Sequence, residues 1–575
     1  MEDTAAIQRI LKDVYGEING KAAFDKIFPI IEKYSDLKNR EETDFSEKDV
    51  FLVTYGDTLN KTGEAPLETL CDFAESRFKD VFSTIHILPF FPYSSDDEFS
   101  VVDFFAVNPE LGDWKDIQRL GRVFRLMFDL VLNHVSSKSA WFKNYLDEKP
   151  RYKNLAIEVD PSSDLSLVTR PGSLPLLTRF HKTSGDTVYV WTTFSADQID
   201  LNYKSVDVLE KMVNVLLFYM KKGAAVIRLD AVAYLWKDIG TSCIHLRQAH
   251  QVVQLFRKIL DLAAPDSLLI TETNVPHQEN VSYFGDGKNE AQMVYNFTLP
   301  PLLLYTFVRE DAGALSRWAE CLRIDSPDNT FFNFTASHDG IGVRPLEGIL
   351  ARDEIEKLMG IVKKNGGDVS YKRDPDGSNS PYELNITYVD ALLNLENNND
   401  PWHIPRFLAS QAIQLVLPGV PAIYIHSILG SRNWTEGVRR TQSKRAVNRE
   451  KLRVDDVLSQ LKDPETFRSR IFYPFIHMIK TRREQSAFHP KADFEILHID
   501  PKVFVVVRRS KAQTIYTVTN ISSGRAEVSL SDAKAPSRMT DLITGDVFRA
   551  DTITLNPYRF LWLSRRMRAK GALRS

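Results

Sequence analysis

The chain is poor in the features that would give it a simple class. It has three cysteines in 575 residues, Cys71, Cys243 and Cys321, far apart and without CxxC spacing. That excludes a disulfide framework or a zinc ribbon and suggests reduced thiols. No apolar run approaches the roughly 20 residues of a membrane span. The amino-terminal stretch is acidic and lacks the apolar core of a signal peptide, so a cytoplasmic protein is expected. The net charge of −3 leaves no global field to attract nucleic acid or an anionic membrane surface. No repeat of fixed period and no low-complexity tract is visible.

What is present is a large globular chain, 43% apolar and 26% charged. Residues 1–48 read as a polar helical extension, with Ile7, Ile10, Leu11 and Val14 in helical period and Phe24, Ile27, Phe28 and Ile31 in a second segment. Strands and helices then alternate. Strand candidates begin at Phe51, Ser83, Arg125, Ala224, Leu268, Met293, Thr330 and Gly419. About eight strands separated by helices predict a closed (β/α)8 TIM barrel over 49–487. Two stretches, about 140–205 and 341–400, lose periodicity and read as irregular inserted loop domains. Residues 488–575 alternate as antiparallel strands and form a separate C-terminal β domain.

The chemistry gathers at strand ends. Ala224–Ile227 is a short buried run ending in Arg228-Leu229-Asp230. Alternation puts Arg228 and Asp230 on one side, where the arginine keeps the carboxylate ionised. Asp129, Asn133 and His134 follow the third strand, Glu272 the fifth, and His338-Asp339 the seventh. A parallel barrel brings these ends to one face. Paired carboxylates there are the apparatus of a retaining glycosidase-type reaction. Asp57 reads as a strand-end turn, and no metal cluster is expected.

The motifs DLVLNH (129–134), VIRLDAV (226–232), LLITETN (268–274) and TASHDG (335–340) resemble those of the α-amylase family of glycoside hydrolases. The resemblance implies Asp230 as nucleophile, Glu272 as general acid/base and Asp339 as transition-state stabiliser, with His134, Arg228 and His338 binding the sugar. LPFFPYSSDDEFS (88–100), VWTTFSADQIDLN (190–202) and the arginine-rich 430–450 segment are similar to the sucrose phosphorylase subfamily. Its members move glucose reversibly between an α-glucoside and phosphate, with phosphate as co-substrate and no cofactor. By that match Asp96 holds the far hydroxyls of glucose, and Phe99, Phe194, Gln198, Tyr234, Tyr382 and Arg445 line the pocket. Three positions depart from the subfamily: Glu98 replaces a common glycine, Gly172 an arginine, and Asn379-Ser380 a Leu-Asp pair. The last two fall on the acceptor side.

Between Arg432 and Arg453 stand eight cations and two anions, Glu436 and Glu450. Arginine suits bidentate capture of carboxylate or phosphate. The excess favours an anionic acceptor such as glycerate over fructose. The extension and the length match the branch of the subfamily acting on glucosylglycerate. Sucrose or sucrose 6'-phosphate phosphorolysis is the alternative, and a hydrolase or transglucosidase of the same fold is the alternative of another class. The partners expected are small molecules, and the protein a monomer or homodimer.

Overall fold

The computed structural model describes residues 2–38, 45–171, 174–324, 326–373, 378–394 and 400–565. Eight parallel strands close into a barrel: β1 (Phe51–Thr54), β2 (Thr84–Ile87), β3 (Arg125–Val131), β4 (Ala224–Asp230), β5 (Leu268–Thr271), β6 (Met293–Tyr295), β7 (Thr330–Phe334) and β8 (Val420–Tyr424). Neighbours in sequence are neighbours in space, and β8 pairs back onto β1. Residues of β1, β2, β7 and β8 are buried throughout. Side chains fill the inside of such a barrel and helices cover the outside, which is why these strands are apolar without alternation.

The helical run α1 (Glu2–Lys33) breaks at Gly16, whose φ of 79° and ψ of 173° leave the helical region. A residue with a side chain would be strained there. The chain doubles back, because a Cβ on Gly20 would meet the Lys12 Cα at 2.7 Å. Among the covering helices are α2 (Pro66–Arg77), α3 (Trp114–Leu120), α4 (Val206–Lys222) and α5 (Arg247–Ala263). The Tyr15 hydroxyl reaches the Tyr203 carbonyl at 2.7 Å just before α4, and Lys258 of α5 pairs with Asp3 at 3.4 Å. Helix α4 stops at Gly223, φ 114°, and the chain passes directly into β4.

The two stretches expected to be irregular are more regular than their sequence suggests. The first holds a short helix, Ala140–Leu146, and an antiparallel hairpin, Leu177–His181 with Thr187–Trp191. The second holds a helix, Arg352–Lys364, and a three-stranded sheet of Ile341–Gly342, Asn379–Asn385 and Asp368–Arg373. Their strands are short and their faces half-exposed, so neither an apolar run nor clean alternation marks them. Gly172, Asp374–Gly377 and Asn397–Asn399 lie outside the described residues.

Beyond α6 (His403–Val416) and α7 (Phe467–Arg483), six antiparallel strands between Asp493 and Ser564 form the C-terminal sheet. Two fully buried arginines meet the end of α6, Arg508 from the sheet and Arg482 from α7. Arg508 donates to the Val416 carbonyl at 2.7 Å, and Arg482 to the Leu415 carbonyl at 2.8 Å. These are end carbonyls of α6, which have no partner within the helix and carry its negative dipole end.

Candidate active site

The register of β3, β4 and β5 builds the floor. Asp129 lies opposite Arg228, and Ile270 lies opposite Arg228 from the other side. Arg228 therefore reaches two carboxylates from one nitrogen: Asp129 at 2.5 Å and Asp230 at 2.7 Å. His86 at the end of β2 closes the row on Asp129 at 2.6 Å. The row His86, Asp129, Arg228, Asp230 is buried end to end. The Glu272 amide continues the β5 ladder by donating to Leu229, and Glu272 accepts from the Ala231 amide at 3.2 Å. Glu272 is 3.9 Å from Arg228, so the guanidinium serves Asp230 first.

That asymmetry separates the two carboxyls. Burial raises both. It lifts Glu272 to about 7, opposed by Arg228 and helped by the charges of Asp230 and Asp339. Burial also lifts Asp230, but Arg228 and His134 oppose it. The proton of the pair therefore belongs on Glu272. Asp339 is the opposite case: burial would raise it, but the guanidiniums of Arg445 and Arg449 help hold it well below the usual carboxylate range. Burial pushes His338 down to about 3, so its ring is neutral.

One pocket at this end of the barrel is lined by Asp230, Glu272 and Asp339 and by Asp96, Phe99, His134, Phe194, Gln198, Tyr234, His338, Tyr382 and Arg445. Arg228 lies beneath it, in the buried row. The Phe99 ring stacks on His338 with centroids 4.7 Å apart, and Phe194 meets Tyr234 edge-on at 5.6 Å. Gln198 links Asp96 at 3.1 Å and His134 at 3.2 Å. A pocket with apolar ring faces and a few convergent polar groups suits a sugar.

Three consecutive residues of the Asp96 loop are left-handed: Asp96 at φ 58°, Asp97 at 42° and Glu98 at 83°. Glu98 thus holds a conformation that glycine takes without strain. Its carboxyl is buried, with one oxygen lacking a hydrogen bond, and burial raises it well above the carboxylate range. The loop is held from outside by Asp197, which accepts from Ser95, Ser100 and Ser137 at 2.5, 2.8 and 2.5 Å.

The arginine-rich segment does not present the free positive charge that its composition suggests. Arg445 makes a bidentate pair with Glu383 at 3.0 and 2.6 Å and a third contact with Asp339 at 2.9 Å. Arg449 pairs with Asp97 at 2.5 Å and donates to the His338 carbonyl at 2.7 Å. Arg432 pairs with Asp390, Lys444 with Asp368 at 3.0 Å, and Lys451 with Asp57. The neutralising carboxylates come from distant parts of the chain. Of the segment's cations, Arg445 alone lines the pocket.

Sequence reasoning missed Glu383, Asn274 and Phe297, which also line the pocket, and the clasp residue Asp197. Glu383 adjoins Tyr382, and Asn274 closes the motif LLITETN; those adjacencies were the available signals. Lys237 is another. Its ammonium is buried and bonded to Asp200, to Asn133 at 2.8 Å and to the Tyr234 carbonyl, tying the β4 loop to the β3 loop. Among the described residues no three His, Cys, Asp or Glu side chains form a metal-sized cluster, and no helix is long and apolar enough to cross a membrane.

A parallel eight-stranded barrel with three carboxyls at its C-terminal mouth, one held by an arginine and one protonated, is the arrangement of a retaining enzyme acting on glycosides. Comparison with known proteins agrees. Residues 81–317 match the catalytic domain of α-amylase, and residues 494–562 the C-terminal domain of maltogenic amylase. The chain is 44% identical to glucosylglycerate phosphorylase of Spirochaeta thermophila, covering 98% of this chain and 99% of that one. It is 43% identical to glucosylglycerate phosphorylase of Escherichia coli strain K12, covering 96% and 98%. The crystal structure of sucrose 6F-phosphate phosphorylase from Thermoanaerobacter thermosaccharolyticum superposes with a TM-score of 0.72 at 26% identity, covering 83% of this chain and 95% of that one. The chain belongs to the α-amylase family, in its sucrose phosphorylase subfamily.

Proposed function

We propose that the protein is a retaining glycoside phosphorylase that moves glucose reversibly between 2-O-α-glucosylglycerate and inorganic phosphate. The observation that carries this is the pairing of an arginine-held Asp230 with a protonated Glu272 in a chain 44% identical, end to end, to a glucosylglycerate phosphorylase. Asp230 attacks the anomeric carbon while Glu272 gives its proton to the departing glycerate oxygen. A β-glucosyl-enzyme results. Phosphate then attacks the same face, Glu272 takes the phosphate hydroxyl proton, and α-glucose 1-phosphate leaves with retained configuration. Asp339, held anionic, faces the positive charge that develops on the sugar ring. Asp96, His134, Gln198 and the rings of Phe99, Phe194 and Tyr234 hold the glucose, with Tyr382, His338 and Arg445 completing the wall. The reaction asks for no cofactor besides phosphate, and its partners are small molecules of the cytoplasm.

The preference for glycerate does not lean on the cation excess of residues 432–453, since Arg432, Lys444, Arg445, Arg449 and Lys451 are each paired with a carboxylate. The test is phosphate release from α-glucose 1-phosphate with glycerate, fructose, fructose 6-phosphate and glycerol offered separately. Fast release with glycerate alone is expected. Fast release with fructose or its phosphate would replace this reading with sucrose or sucrose 6'-phosphate phosphorolysis. Slow release indifferent to the acceptor would put a hydrolase in its place.

A further inference from the structure

The chain just beyond Asp339 carries a guanidinium that no group among the described residues hydrogen-bonds. Ile341–Gly342 pairs with Glu383–Leu384, and the Val343 amide donates to the Tyr382 carbonyl at 3.1 Å. Here the backbone presses on the pocket wall: a Cβ on Gly342 would stand 2.4 Å from the Oδ1 of Asn274, which lines the pocket. Arg344 comes next but one, with its side chain only 12% exposed. Its Nε is buried and makes no hydrogen bond. Its ion-pair contact, with Glu347, is 3.8 Å, beyond hydrogen-bond range. The charge of Arg344 is felt at the Tyr234 phenol, where it opposes burial, and at His245. Asn274 Oδ1 is also buried without a donor.

Asn274 lines the pocket, and Arg344 stands just behind that lining, near enough to Tyr234 for its charge to be felt there; buried unmet polar groups are costly unless something meets them. Arg445 shows the contrast, since Glu383 and Asp339 meet its guanidinium within hydrogen-bonding distance. The wall is also the right one. Glu272 protonates the departing oxygen, and Thr273 and Asn274 continue the pocket lining directly from it. A group bonded to that oxygen leaves along this side. Glycerate carries a carboxylate for a guanidinium fork and a free hydroxyl for a carbonyl oxygen.

We propose that Arg344 receives the acceptor carboxylate and Asn274 an acceptor hydroxyl, so that this pair sets selectivity for an anionic acceptor. The inference rests on the glucosylglycerate reading. The test compares the wild type with R344Q and R344K, measuring kcat/KM for glycerate and for glycerol in phosphate release from α-glucose 1-phosphate. Exchange of labelled phosphate into α-glucose 1-phosphate is measured alongside, and thermal melts check folding. Losing one charged hydrogen-bonding group lowers the glycerate-to-glycerol ratio in R344Q by at least about tenfold, with R344K between. A folded R344Q whose ratio stays within about twofold of wild type overturns the inference alone. So does a loss of phosphate exchange with the ratio unchanged, because the guanidinium would then serve phosphate. A wild type that does not prefer glycerate overturns the function itself, and this inference with it. Should R344Q not fold, N274D places a negative charge beside the acceptor carboxylate and must lower the same ratio; an unchanged ratio overturns the inference.

Discussion

The two walls of the pocket are built on different terms. The donor wall, from Asp96 and His134 through Arg228 and Asp230, grows from strand ends and the loops directly after them. Its side chains hold one another: Arg228 is held by two carboxylates, Asp230 by Arg228, and Gln198 by Asp96 and His134, with Arg228 Nε and one Glu98 oxygen left unmet beneath. The acceptor wall comes from the inserted sheet around Tyr382 and from the 430–453 segment. It sets a fully paired arginine, Arg445, beside an unmet oxygen on Asn274, with the unmet Arg344 just behind the lining. A wall whose side chains hold one another presents one fixed shape, which suits the one sugar every reaction shares. A wall with unmet groups waits for a ligand to complete it, and there acceptor choice can change without disturbing glucose.

That contrast makes a prediction for every substitution. Damage to the donor wall lowers activity with all acceptors alike, whereas damage to the acceptor wall changes their ranking. The largest effect is expected for D230A. Loss of the nucleophile should lower kcat/KM by about 10⁴-fold or more with glycerate, glycerol and phosphate exchange together. A D230A enzyme that kept one acceptor reaction would show a route without the glucosyl-enzyme and would break the comparison.

Glu272 stands where the walls meet, and E272Q comes next. Loss of a general acid lowers phosphorolysis of the glucoside by about 10² to 10⁴-fold. An α-glucosyl fluoride, whose leaving group needs no proton, should suffer much less in the first step. The pH dependence follows from the same group. Glucoside cleavage needs Glu272 protonated, and burial raises it to about 7. kcat/KM for the glucoside therefore falls as pH rises through about 7, and E272Q removes that limb. A limb that survives in E272Q belongs to another group.

Most of the barrel and the catalytic strand ends were legible in the sequence, and for one reason. Parallel-barrel geometry carries Asp129, Asp230, Glu272 and Asp339 to one mouth whatever the loops do. The rest depended on partners far apart in the chain. Arg449 meets Asp97 across 352 positions, and Ser95 meets Asp197 across 102. Composition reveals eight cations between Arg432 and Arg453 but not Asp57, Asp97, Asp339, Asp368, Glu383 and Asp390, which pair with five of them. The inserted sheet escaped because half-exposed short strands have no period to read.

Glu383 tests where one wall stops. It is buried and grips Arg445, which in turn touches Asp339. E383Q loses one charge of a bidentate pair and leaves Arg445 to lean on Asp339. If Glu383 acts through the donor side, kcat/KM falls about ten- to a hundredfold for every acceptor. A change confined to the glycerate-to-glycerol ratio would instead assign Glu383 to the acceptor wall and move the boundary past Arg445.

The smallest effect is expected at Asp197, and it concerns rigidity rather than contact. Asp197 does not line the pocket. It accepts from the hydroxyls of Ser94, Ser95, Ser100 and Ser137 and so holds the loop that carries Asp96, Asp97 and Glu98 in left-handed backbone. Burial raises this carboxyl, but the serine hydrogen bonds outweigh burial and keep it below its usual range. D197A leaves that strained loop free to relax, which removes ground-state and transition-state binding alike. KM for α-glucose 1-phosphate should rise by about three- to tenfold while kcat changes little. The shift should be equal for glycerate and glycerol, because a loosened donor wall weakens glucose and not acceptor choice. D197N keeps one acceptor oxygen for the serines and should fall between. A D197A enzyme with altered acceptor ranking would show that the Asp96 loop also shapes the acceptor wall, through the Asp97–Arg449 contact that joins the two.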